Sequence, residues 1–137
     1  MKKIIYFIIF LLFYPSLIYA HGTIVIQNIE HNEGYIDLKI YNNKESFLDD
    51  DMAIESIRKK SIKGEIIIPI AKIHEGTIAI VVYHDENNDG KLNTGLFWRP
   101  KEGYAFSNNY IPKGPPSFSK ASILLVHNEP VYIKLKY

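Results

Sequence analysis

Cysteine is absent from the 137 residues. That excludes disulfide bridges, a thiolate metal site, a cysteine nucleophile and a lipid-anchored N-terminal cysteine. An excess of one charge is also absent: 16 basic residues face 15 acidic ones, for a formal net charge of +1. A bulk electrostatic nucleic-acid binder is excluded on that ground. Internal repeats and low-complexity tracts are missing, so no solenoid or disordered linker is expected. Apolar runs with helical spacing are scarce. The length allows one domain and makes two improbable.

What is present divides into two unlike segments. Residues 1–20 carry Lys2 and Lys3, an unbroken apolar run from Ile4 to Tyr14, then Pro15, Ser16 and a small residue at Ala20. This is the pattern of a secretory signal peptide. A membrane anchor needs roughly 17–25 apolar residues, and Pro15 ends this run after eleven. Residues 21–137 then form the domain, with 14 basic and 15 acidic side chains. The expected location is exported, periplasmic or extracellular, with no membrane span after cleavage.

Period-two alternation dominates this second segment. Ile24 and Ile26 share one face of 23–28. Ile36, Leu38 and Ile40 share one face of 34–42. Ile66, Ile68 and Ile70 do so in 65–70, where Pro69 marks an edge strand or a strand end. Residues 77–83 are apolar on both faces, as a central strand is. Residues 121–126 and 131–137 complete six strands, and 53–61 is a weakly patterned seventh. Glu30–Gly34 and His127–Pro130 have the composition of hairpin turns. Ser46–Asp51 reads as a solvated acidic loop, or as one helical turn capped by Ser46. The expectation is an all-β fold: a single antiparallel β-sandwich of about seven strands with one long ordered loop.

That loop runs from Asp85 to Ser119 and holds four of the eight glycines, four prolines and the single tryptophan. A loop of this length in a small domain needs something to order it. Asp85, Asn87, Asp89, Lys91 and Asn93 stand at positions 1, 3, 5, 7 and 9 of a calcium-loop spacing, with Gly90 at position 6. Lys91 would offer only its carbonyl. Position 12 is Leu96 rather than the bidentate glutamate, so this is not an EF-hand. Two readings stay open: a calcium loop completed by Glu86 or Glu102, or a chain of Asx turns that needs no ion. Calcium is thus the one candidate cofactor here.

Further along, Trp98, Tyr104 and Phe106 alternate with small residues ahead of Asn108 and Asn109. They read as a stacking and hydrogen-bonding platform for a ligand, or as aromatics that close the end of the sandwich. Gly114–Phe118 reads as a rigid turn that delivers Phe118 to the core. Five histidines occur, at 21, 31, 74, 84 and 127, and none stands at a metal-ligand spacing from another. His21, as a mature N-terminus, is a copper chelator only if a second histidine comes near. His84 is assigned a structural role, bonding loop backbone and fixing Asp85. Ser107 and Ser117 lack the strand–turn–helix surroundings of a nucleophile elbow. No catalytic set is assigned.

The words His84–Asn87, Asn88–Thr94, Pro100–Tyr104, Phe106–Asn109 and Gly114–Phe118, in that order, resemble the small exported bacterial proteins called domain of unknown function 2141. The resemblance covers nearly all of residues 21–137. It implies an export signal followed by one sandwich, similar to prealbumin-like or immunoglobulin-like domains, and it implies no established activity. The family usually has Asp where this chain has Asn93, and Gly where it has Ala105. The expected function is a noncatalytic binding or structural module of the cell envelope, with an envelope protein or glycan as partner. The alternative is a small enzyme or metal-binding protein that uses the His84/Asp85 region.

Overall fold

The computed structural model describes residues 22–137; the expected signal segment, His21 and the Trp98 side chain lie outside the described part. Among the described residues, eight strands form two sheets. In chain order they are β1 Gly22–Ile29, β2 Tyr35–Tyr41, β3 Glu55–Lys60, β4 Gly64–Ile70, β5 Gly76–Asp85, β6 Tyr104–Phe106, β7 Ser122–Leu125 and β8 Pro130–Lys134. One sheet has the order β4-β1-β8. The other runs β3-β2-β5, and the far edge of β5 is shared by β6 and β7. The pairing is antiparallel except for β1 and β8, which run parallel.

Alternation explains the core. Ile24 and Ile26 of β1, Ile36, Leu38 and Ile40 of β2, Ile68 and Ile70 of β4 and Ile78, Ile80 and Val82 of β5 meet between the sheets. Each fully buried aliphatic side chain contributes about 1.5–3 kcal/mol. Pro69 lies on β4, an edge strand, where its missing N–H breaks no ladder. β5 is central and buried on both faces. Its outward residues, Ala79 and Val81, carry a second apolar cluster with Tyr41, Phe106 and Ala121. Phe118 packs there too, edge-on to Phe47.

Two sequence expectations fail on topology. Glu30–Gly34 and His127–Pro130 do not close hairpins. β1 and β2 belong to different sheets, as do β7 and β8, so both turns carry the chain across the sandwich. Turn chemistry bends the backbone but does not choose which sheet receives the next strand. Residues 55–60 are a true strand, paired with β2. Residues 50–52 form one 3₁₀ turn, capped by Asp49 rather than Ser46: the Asp51 N–H donates to the Asp49 carboxylate at 3.1 Å.

Candidate functional site

Alternation continues to the end of β5 and separates two neighbours. Ile78, Ile80 and Val82 point between the sheets, so His84 follows them inward and Asp85 points outward. Both are fully buried. They serve different clusters.

On the outer side, Asp85 meets Arg58 of β3. One guanidinium nitrogen lies 2.7 Å from Asp85 Oδ2 and also donates to Asn88 Oδ1 at 2.7 Å. The other pairs with Asp37 of β2. The guanidinium carbon sits 4.4 Å above the Tyr35 ring. Asp85 also accepts the Asp89 N–H at 3.0 Å and the Gly90 N–H at 2.8 Å. Its hydrogen bond to Asp85, with Asp37 beside it, pushes the Arg58 pKa up. Burial raises that of Asp37, against the pull of Arg58.

The rest of the loop is tied by its own amides. Asp89 accepts the Lys91 N–H at 2.9 Å and the Asn93 side-chain amide at 2.8 Å, and Asn87 accepts the Asp89 N–H at 3.0 Å. The Asn93 amide, with the N–H of Lys91 and the amide of Asn87, holds Asp89 below the usual carboxylate range. Glu102, nearly buried, accepts N–H groups from Glu86 and Asn93, each at 3.2 Å. The structure therefore brings Asp85, Asn87, Asp89, Asn93 and Glu102 together. Lys91 joins them through its N–H. A calcium ion entering this loop has to compete with Arg58 and these amide donors.

Glycine is required where the turn after β1 meets the end of β5. Gly34 has φ +68°, and a Cβ there would stand 2.0 Å from the Asp85 carbonyl oxygen. The turn between β1 and β2 thus lies directly against the end of β5.

Beyond Asn93 the chain forms a narrow excursion. The Gly95 N–H donates to the Arg99 carbonyl at 2.6 Å and the Lys101 N–H to the Asn93 carbonyl at 2.8 Å; Thr94 bridges Pro100. At its tip Leu96 and Phe97 are 83% and 87% exposed. Phe97 sits at φ 57°, ψ 38°, the left-handed region that bulky residues rarely occupy.

The expected aromatic platform is dispersed. Phe106 is buried in the second cluster and offers no face to solvent. Tyr104 is half-buried and exchanges backbone hydrogen bonds with Lys136, each at 2.9 Å. Asn108 and Asn109 are exposed, and Asn108 donates to the Lys120 carbonyl at 3.0 Å. Both asparagines adopt positive φ, so they shape the turn after β6. Ser107 is buried, accepting the Ile80 N–H and donating to the Ala121 carbonyl. Ser117 exchanges its hydrogen bond with Ser119.

On the inner side, His84 bonds neither serine nor Asp85. Its Nδ1 lies 2.6 Å from the Tyr137 hydroxyl and its Nε2 lies 2.6 Å from the Glu33 carbonyl oxygen. That Nε2 bond joins it to backbone, as expected, but to the turn before β2 rather than to the acidic loop. His31 stacks against it, ring centroids 4.6 Å apart. Their sequence spacing, 53 positions apart, gave no hint of this pair. Arg58 was missed as well, although its outward position in a strand opposite Asp37 is a signal that register reveals.

An all-β sandwich with a pinned loop and exposed tip is the class these features define. The chain matches the model of a family described as "Uncharacterized protein conserved in bacteria (DUF2141)" over residues 24–134. It belongs to that family. Comparison with curated proteins and with solved structures returns no match.

Proposed function

We propose that this protein is an exported, noncatalytic binding module of the cell envelope that presents the tip at Leu96 and Phe97 to a partner protein. The observation that carries this reading is two large apolar side chains held almost fully in water on an excursion tied at its neck. Exposed apolar groups on an anchored loop mark interaction sites. Residues 93–101 include Arg99 and Lys101 and no acid, so the partner surface is an apolar cleft with an acidic rim. Arg58, Asp85, Asp89, Asn93 and Glu102 act as the mount: they carry the order of the sheet out to the neck. In this reading the mount is complete without calcium.

A photo-crosslinking residue at position 97 tests the tip, with position 134 on β8 as the comparison. The expected result is a discrete protein adduct at 97 alone, abolished by Leu96→Ser. Adducts to lipid, or the same adducts from both positions, overturn the reading.

A further inference from the structure

We propose that His31, His84 and Glu86 form a binding site for one divalent transition-metal ion of the zinc class, distinct from the side-chain cluster of Asp85, Asp89 and Asn93. One donor atom from each of the three lies within 4.8 Å of the other two. Two imidazoles and a carboxylate are a donor set suited to zinc and its neighbours. The set is assembled from three places: the turn after β1, the inward face of β5 and the residue just beyond β5.

The protonation pattern at His84 favours a ligand role. A carbonyl oxygen only accepts, so the Nε2 facing Glu33 carries a proton, and in the neutral ring Nδ1 is the nitrogen that offers a lone pair. An imidazole that donates one N–H to a backbone carbonyl and turns its other nitrogen to the metal is the usual arrangement around bound ions. In that neutral ring the Tyr137 hydroxyl, 2.6 Å away, is the donor to Nδ1, and it gives way to the ion. It also accepts the Glu30 N–H at 3.2 Å, so it keeps a partner after turning.

His31 supplies the second observation. Its Nδ1 is shielded from solvent and has no aligned hydrogen bond, although Glu33 Oε2 lies 2.9 Å away. Its Nε2 lies 3.2 Å from Glu86 Oε2. Among the described ion pairs, neither Glu33 nor Glu86 has a Lys or Arg partner. Two carboxylates flanking a half-exposed imidazole leave local negative charge for a cation to balance. Glu86 is already steered, since its other oxygen accepts the Gly103 N–H at 3.2 Å.

Metal–donor bonds of about 2.0–2.1 Å place tetrahedral donors about 3.3 Å apart. Closing on an ion therefore takes a shift of about an ångström or more, shared by His31 and Glu86. Their side chains are 35% and 32% exposed, which leaves room for that rotation and for water at the fourth position.

Calorimetric titration of the protein with zinc chloride tests the site. The expected result is one saturable equivalent, weakened at least about tenfold by His31→Ala and by Glu86→Gln, and unchanged by His21→Ala and His127→Ala. Circular dichroism checks that each variant is folded. Because His84 is buried, it is read by nitrogen-15 NMR instead, where zinc should shift its Nδ1 resonance. Absence of saturable binding overturns the proposal. So does binding that survives both His31→Ala and Glu86→Gln, or that disappears with His21→Ala.

Discussion

Between the sheets, Ile24, Ile36, Leu38, Ile68 and Ile80 meet as aliphatic side chains of nearly one kind. A few residues further along the same β5, the chain enters a loop held almost wholly by carboxylates, amides and one guanidinium. Burial of aliphatic area is non-directional and tolerates adjustment. The loop depends on directed bonds to groups that water would otherwise satisfy, so losing one partner strands another. The interior sets whether the domain folds; the loop sets where its tip points.

Substitutions that strike each region in its own way sharpen this contrast. Leu38→Ala empties a fully buried core position and should cost about 4 kcal/mol in urea unfolding. Arg58→Ala should cost about 3 kcal/mol, because Asp85 stays fully buried and Asp37 nearly so without their counter-ion. A cost for Arg58→Ala below about 1 kcal/mol would break the contrast, since it would make the ion pairs surface decoration.

Asn93→Asp should lower the melting temperature in the presence of chelator, by less than either of these substitutions. It replaces the amide that donates to Asp89 and Glu102 by another carboxylate. Millimolar calcium should restore that variant while leaving the unsubstituted protein's melting curve unmoved. A calcium shift in the unsubstituted protein would instead assign the loop to the ion. The amide of Asn93 thus stands where a member of the family with Asp would need another source of positive charge.

The smallest effect concerns acid. Asp89 is held below its usual value of 3.8, chiefly by the Asn93 amide. A depressed carboxylate adds stability above its unfolded pKa and loses it as pH falls through the lowered folded value. Asp89→Asn should therefore flatten part of the decline in melting temperature below about pH 4. Asp37, raised chiefly by burial, acts in the opposite sense: its share is present at low pH and lost as pH rises through its raised value. Unchanged acid melting in Asp89→Asn would remove Asp89 from the mount.

The strands were readable to the extent that they alternate. β1, β2 and β4 follow from period-two patterns, β5 from a run apolar on both faces, β7 and β8 from short apolar segments around a turn, and β3 from a weak pattern. β6 escaped notice because three residues carry no period, and its place comes from pairing with Val81–Tyr83. In the loop, the residues at the spacing Asp85, Asn87, Asp89 and Asn93 lie together and share hydrogen bonds, because alternate positions in a tight turn point inward. What they converge on was out of reach. Arg58 lies 27 residues from Asp85, and Glu102 lies 9 from Asn93.

By itself, then, the sequence determined which face of β1, β2 and β4 is buried, because side-chain alternation is a property of the extended backbone. The central strand it indicated ended at Tyr83, so the separation of His84 and Asp85 onto opposite faces came from the two further residues of β5. Only the tertiary structure decided which sheet receives each strand, which carboxylate meets Arg58, and that His31 lies against His84. Those choices depend on free sheet edges and on buried charges finding partners. Both are settled between segments distant in sequence, at the moment they pack.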